Sequence, residues 1–303
     1  MAFDLAPRAE PIVTLPDGRS LGASEYGDPD GRAVLWFHGT PGGSRQIPLA
    51  ARALADDLGV RLILVERPGV GRSSPHLHTN VAGFATDIAA FADALDIDRF
   101  GLAALSGGGP YALACAARLA DRVAATAILG GVAPARGFEA APGGLVGLAT
   151  RFAPVLPLAR IPLGHAMWVL LRLTRPIGPL GIRAYAAFSP EGDRRVFERP
   201  EMQAMFLDDL AVAGQRQFHA VAADIVLFTR DWGFRIADIA GPVRFWHGDA
   251  DNIVPLAHAE HMAALVPDSG LIVRGGESHL GGLDAAREVL STVLALWDRR
   301  ADD

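Results

Sequence analysis

Leu102-Ala103-Ala104-Leu105-Ser106-Gly107-Gly108-Gly109-Pro110-Tyr111 decides how this chain is read. An apolar run stops at a serine, three glycines follow, and an alanine-rich helical pattern begins at once. A strand that hands a hydroxyl to a helix through a very sharp turn has this form, because small neighbours let the backbone bend tightly. Ser106 is therefore a candidate nucleophile. The usual pattern for such a turn is G-x-S-x-G, and here Ala104 holds the first small position. Gly107 to Ala112 also satisfies G-x-G-x-x-G/A, the dinucleotide fingerprint. A dinucleotide site needs an acidic residue about twenty positions later for the ribose. Residues 123–136 hold no Asp or Glu, which disfavours that rival. A purely structural turn is the other alternative.

The flanks supply an alternating rhythm. Ile12–Leu15 and Ser20–Tyr26 flank Pro16-Asp17-Gly18-Arg19 and read as a β-hairpin. Continuous apolar runs at Ala33–Phe37, Val60–Val65, Arg99–Leu105 and Val123–Leu129 read as strands buried on both faces. Helical periodicity separates them at Ile47–Leu58, Val81–Leu95 and Gly109–Leu119. From about 133 to 239 no strand is evident. Apolar helical stretches around Leu145–Val155, Ala166–Leu173 and Met202–Val226 are interrupted by eight prolines between Pro142 and Pro200. The rhythm resumes with strands at Val243–Trp246 and Gly270–Val273 and helices at Leu256–Leu265 and Leu283–Asp298. This predicts a core over 1–132 and 240–303, with an inserted helical cap over 133–239. The core is an α/β fold, a mostly parallel eight-stranded sheet with helices on both faces.

Composition narrows the chemistry. The 303 residues are half hydrophobic and a fifth charged, ordinary for a well-packed globular protein. Net charge is −6, with no basic stripe for nucleic acid and no polybasic run for an anionic membrane. All 28 basic residues are arginine. The absence of lysine excludes a lysine Schiff base, a P-loop lysine and a Ser-Lys dyad. Cys115 is the single cysteine, which rules out an intrachain disulfide and reads as a core side chain. Met1 to Pro16 carries Asp4, Arg8 and Glu10 and lacks a long apolar stretch, so no signal peptide or membrane span is expected and the default location is cytoplasmic.

A serine hydroxyl needs a base, and the base needs an orienting carboxylate. Gly275-Gly276-Glu277-Ser278-His279-Leu280-Gly281 puts a histidine in a glycine-bounded loop after the last strand, making His279 the candidate base. Phe245-Trp246-His247-Gly248-Asp249-Ala250-Asp251 places two aspartates just beyond a strand. Asp251, before Ile253-Val254-Pro255, is the candidate acid, with Asp249 the fallback as a turn or cap residue. Phe37-His38-Gly39-Thr40-Pro41-Gly42-Gly43 follows the first buried strand, and the Thr40 and Gly107 amides are the candidate oxyanion-hole donors. The remaining histidines earn less. His76 and His78 read as a solvated loop, His258 and His261 as a surface helix, and His165 and His219 as packing or surface residues in the cap. Glu66, Arg67 and Arg72 read as loop anchors through ion pairs.

These segments occur in an order that resembles the capped α/β-hydrolase superfamily, which holds esterases, C–C bond hydrolases, epoxide hydrolases, dehalogenases and proline iminopeptidases. His38-Gly39-Thr40-Pro41, the Arg67 to Ser73 loop, the Ser106 turn, His247 through Asp251, and Glu277-Ser278-His279 carry the resemblance over about 11–132 and 240–299. The chain order Ser…Asp…His is the one that family uses. The cap carries no motif that selects a subfamily. The resemblance implies a serine hydrolase acting on a carboxylic ester, lactone or thioester of an apolar small molecule through an acyl-enzyme. A C–C bond hydrolase and an iminopeptidase-like aminopeptidase are the alternatives. A serine in the nucleophile position disfavours epoxide hydrolase and dehalogenase chemistry. Gly39-Thr40-Pro41, where iminopeptidases show Gly-Gly-Pro, and Gly107, where they show tryptophan, disfavour the peptidase. A non-catalytic ligand-binding protein on the same fold is the non-enzyme rival. The expected partner is a small-molecule acyl substrate, with no cofactor, no metal, no nucleic acid and no membrane span, and with a homo-oligomer left open.

Overall fold

The computed structural model describes residues 6–141, 143–215 and 218–302. Met1 to Leu5 of the N-terminal stretch lie outside them. The chain opens with β1 (Ile12–Thr14), β2 (Ser20–Gly27), β3 (Arg32–Phe37), α1 (Leu49–Asp57), β4 (Val60–Val65) and α2 (Gly83–Asp93). It continues with β5 (Phe100–Leu105), α3 (Gly109–Arg118) and β6 (Val123–Leu129). Then come α4 (Gly144–Ala149), α5 (Leu156–Thr174), α6 (Gly178–Phe188), α7 (Glu191–Glu198), α8 (Pro200–Ala213) and α9 (Ala220–Phe228). The last elements are β7 (Val243–Gly248), α10 (Leu256–Leu265), β8 (Ser269–Arg274) and α11 (Ala286–Asp302).

The eight strands form one sheet in the order β1-β2-β4-β3-β5-β6-β7-β8. From β4 to β8 all pairings are parallel, and β1 and β2 add an antiparallel edge. Alternate residues of the central strands face opposite sides, as the two-residue strand period requires. Leu35, Phe37, Ile63, Val65, Leu102 and Ala104 pack with α2, α3 and α10 through Phe84, Phe91, Leu113 and Met262. Val34, Trp36, Leu62, Leu64, Ala103 and Leu105 pack on the other face with α1 and α11 through Leu54, Val289, Leu290 and Val293. Cys115 lies inside the first of these layers, where burial pushes its thiol pKa far up, so it is an unreactive core side chain.

The boundaries differ from expectation where prolines and tight turns intervene. Pro48 caps α1, so that helix begins at Leu49 and not at Ile47. A 3₁₀ turn over Gly281–Ala285 delays the last helix to Ala286. Between β6 and β7 the chain is more helical than its prolines suggest. Prolines occupy the first turns of α5, α6 and α8, where a missing N–H costs nothing, and act there as starts. Among the described residues of this segment, only Pro162 lies inside a helix. No single helix among the described residues is long and apolar enough to cross a membrane.

Candidate active site

The sharp turn after β5 is a matter of backbone geometry. Leu105 is still extended (φ −110°, ψ 131°), while Ser106 has φ of 50°, in the left-handed region that a non-glycine residue rarely adopts. Such a conformation costs about 1–3 kcal/mol and persists where the surroundings enforce it. A short 3₁₀ turn, Ser106–Gly108, then leads into α3. The glycines allow the turn to sit against its neighbours. A Cβ at 108 would collide with the Phe37 carbonyl at the end of β3, and one at 107 with the Thr40 side chain. Ala104, at the motif's irregular position, is fully buried in β5.

Loops at the same end of the sheet bring the other candidates to Ser106. His279, in the loop after β8, places Nε2 2.8 Å from Ser106 Oγ. Its Nδ1 lies 2.7 Å from Asp251 Oδ2, in the loop after β7. A carboxylate only accepts, so Nδ1 carries the proton and Nε2 is left to accept from the serine hydroxyl. All three side chains are buried. Asp251 Oδ1 takes the Ile253 and Val254 amides, each at 2.9 Å, which fixes the carboxylate plane. Burial alone would raise the Asp251 pKa, but hydrogen bonds from His247 and His279 outweigh it and hold it below the usual carboxylate range. Asp249 is exposed and accepts the Gly276 amide at 2.7 Å, as a turn residue would.

Thr40 adjoins the Ser106 turn but its hydroxyl is committed elsewhere, donating to Asp224 Oδ2 at 2.6 Å. Asp224, on α9, also pairs with Arg67 at 2.7 Å and accepts the Tyr111 hydroxyl at 2.6 Å. Arg67 in turn donates to the His38 and Gly39 carbonyls and to Thr40 Oγ1. Burial, then the Asp224 carboxylate, pushes the Tyr111 pKa well up and keeps the phenol a donor. Burial, then Arg67, pushes His38 well down, so its neutral ring bridges the Gly39 carbonyl and the Arg67 amide. Gln46 closes the loop from the other side, accepting the Gly39 amide at 2.6 Å and donating to the Pro41 carbonyl at 3.0 Å. The Thr40–Pro41 peptide is cis.

Three buried acids of the segment between β6 and β7 thus hold the loops around Ser106, and sequence reading passed over all of them. Asp193 on α7 accepts Ser278 Oγ at 2.5 Å and the Leu280 amide at 2.7 Å, gripping the residues on both sides of His279. Asp209 on α8 accepts the Gly43 and Arg45 amides at 3.0 and 2.9 Å. Asp224 holds Thr40 and Arg67. For Asp209 and Asp224 the signal was present, an acid inside an apolar helical run, which stays buried only with partners. Asp193 sits in a highly charged stretch and gave none.

Several weaker expectations change. His258 lies in the core and not on a surface helix, and its Nδ1 accepts the Ala133 amide at 3.1 Å. Glu66, Arg67 and Arg72 do anchor their loop through ion pairs as expected, Glu66 fully buried against Arg72 and Arg67 reaching across to Asp224. His78 pairs with Asp87 rather than standing in solvent, whereas His165 and His219 pack on each other away from the cavity wall, as expected. No cluster of metal-ligating side chains occurs among the described residues.

Ser106, His279 and Thr40 line a cavity of about 880 Å³. Its other walls are mostly apolar, among them Leu105, Leu171, Ile182, Phe197, Phe206 and Leu210. A buried hydroxyl beside a base, with a fixed carboxylate behind it and an apolar chamber in front, is suited to attack on a carbonyl.

The fold and the loop order are those of one family. A family model described as alpha/beta hydrolase fold matches residues 32–286, and the chain belongs to that family. Among characterised relatives, a non-heme haloperoxidase from Rhodococcus erythropolis is 29% identical over 277 residues, spanning 89% of this chain and 92% of that protein. A proline iminopeptidase from Xanthomonas citri is 30% identical over 117 residues, 38% of this chain and only 37% of that protein. Among solved structures, an esterase from a Rhodococcus species superposes with a TM-score of 0.65 at 24% identity, covering 95% of this chain and 99% of that one. These likenesses make the chain an α/β-hydrolase in fold and family.

Proposed function

We propose that this protein is a serine hydrolase that cleaves carboxylic esters, lactones or thioesters of largely apolar small molecules through an acyl-enzyme. The observation that carries the proposal is the unbroken series Asp251–His279–Ser106, with links of 2.7 and 2.8 Å, opening on an apolar cavity. Ser106 Oγ attacks the carbonyl carbon while His279 Nε2 takes the hydroxyl proton and Asp251 holds the imidazolium. The amides of Thr40 and Gly107 face the charge that develops on the carbonyl oxygen. Collapse of the tetrahedral adduct expels the alcohol, which receives the proton from His279. Water then attacks the acyl-enzyme with the same histidine as base, and the acid leaves. The helices of 133–239 act as a cap that encloses the acyl or alcohol group. The wall chemistry favours an apolar group, since leucine, isoleucine and phenylalanine side chains make up much of the lining, with Arg172 and Arg175 also reaching it.

The test is a panel of short and long acyl esters, lactones, thioesters and prolyl amides, with Ser106→Ala as control. Turnover on esters, rising with acyl length and lost in the variant, supports the proposal. A preference for prolyl amides, or undiminished ester turnover by Ser106→Ala, contradicts it.

A further inference from the structure

The segment between β6 and β7 has two unlike halves. Helices α7 to α9 are tied to the core by Asp193, Asp209 and Asp224. Helices α4 to α6 instead present large apolar side chains outward, with Leu158, Leu173 and Phe188 exposed by 82%, 73% and 93%. On α5 the exposed residues Leu158, Ile161, His165, Val169 and Leu173 follow a spacing of three or four, which places them on one helix face. The opposite face is packed through Met167, Trp168 and Leu171, with Gly164 against His219 of the neighbouring segment. The outer face therefore has no partner within the described chain.

Charge says what covers it. Residues 140–190 contain five arginines, Arg151, Arg160, Arg172, Arg175 and Arg183, and no Asp or Glu, although the whole chain is at −6. None of the five forms an ion pair among the described residues, and all but the half-buried Arg160 are exposed, with Arg172 stacked over Trp168 on the packed side of α5. A second copy of this chain is a poor occupant, because a two-fold contact through this segment would bring arginines together with no acidic residue to meet them. An aqueous small anion would meet the charge but leave the leucines and phenylalanine in water. Apolar side chains interspersed with arginine match the boundary of an anionic bilayer, where acyl chains and phosphate groups lie within one side-chain length. Gly144–Phe152 and Leu156–Phe188 are together as apolar as a membrane segment, but they meet at 116° and neither is by itself long and apolar enough to cross a bilayer.

We infer that the outer face of α4 to α6 docks the protein on anionic lipid surfaces. Leu170, Arg172, Arg175 and Ile177, on and just after α5, also line the cavity, so docking sets its mouth beside the bilayer. The inference does not depend on hydrolysis, and a Ser106→Ala protein is expected to bind lipid as well as the native chain does.

Vesicle co-sedimentation tests it, with phosphatidylcholine alone against phosphatidylcholine containing 30% phosphatidylglycerol. The native protein is expected to pellet with the anionic vesicles, and to be released from them as salt rises. Arg151→Gln with Arg183→Gln removes two surface charges away from the cavity and is expected to weaken binding about 30-fold. Leu158→Glu with Phe188→Glu is expected to abolish binding while leaving hydrolysis of a short water-soluble ester and Tm unchanged. Equal binding to the two vesicle types, no binding at low salt, or binding untouched by the glutamates would overturn the inference. So would a dimer in sedimentation equilibrium that the glutamates dissolve, since the face would then belong to a second copy.

Discussion

Ser106 owes its place to its neighbours, since the left-handed backbone at 106 exists because residues 107 and 108 have no Cβ to strike Thr40 and Phe37. That dependence made the serine legible from sequence, and strand-end positions made His279 and Asp251 legible after it. The residues that hold the loop after β3 were not, because Thr40, Arg67, Tyr111 and Asp224 meet only in the folded chain, up to 184 positions apart. Two outcomes follow at this scale. Asp251→Asn keeps the shape of the carboxylate but leaves His279 in the wrong tautomer, and kcat is expected to fall roughly 10⁴-fold with the fold intact. Steady-state kinetics with circular dichroism checks it, and a loss under tenfold would mean that Asp251 does not orient the base. Asp224→Ala strands Arg67 in the interior, a change expected to cost about 3–5 kcal/mol of stability in denaturant unfolding. Asp224→Asn keeps the shape and more of the hydrogen bonds, so it is expected to cost less stability. It still removes the charge that fixes Thr40, and should lower kcat more than it raises KM. Unchanged kcat in that variant would leave Asp224 a purely structural residue.

At the scale of elements, the strands were readable because burial on both faces writes continuous apolar runs, with ends set within a residue or two by glycines and prolines. The helices between β6 and β7 were less so, because prolines that start a helix and prolines that break one look alike in sequence. The way those helices attach also predicts a pH response. Burial, opposed by the Arg45 and Gly43 amides, pushes Asp209 up from 3.8 to about 7. The folded protein thus keeps a proton on Asp209 up to near neutrality, while the unfolded chain loses it near pH 4. The folded state binds more protons in that window, so its stability falls as pH rises from about 4 to about 7. Urea unfolding across this range should show a shallower decline for Asp209→Asn than for the native chain. Parallel curves would remove Asp209 as the source.

For the molecule as a whole, net charge and mean composition concealed the most distinctive surface. An acidic total of −6 averages over a segment, 140–190, whose charge is entirely positive, and the absence of a basic run hid arginines that are scattered in sequence and clustered on a few helices. The core places Ser106, His279 and Asp251 at one end of the sheet, and the intervening helices both brace their loops and roof the cavity. On the proposed mechanism, this assembly makes Ser106 a nucleophile that carries the acyl group. Labelling with a fluorophosphonate, followed by peptide mass mapping, tests it most directly. One phosphonyl adduct on the peptide containing Ser106 is expected, forming in step with loss of ester hydrolysis and slowed by orders of magnitude in His279→Ala. Ester hydrolysis that persists with Ser106 unlabelled, or an adduct on any other residue, would contradict the account.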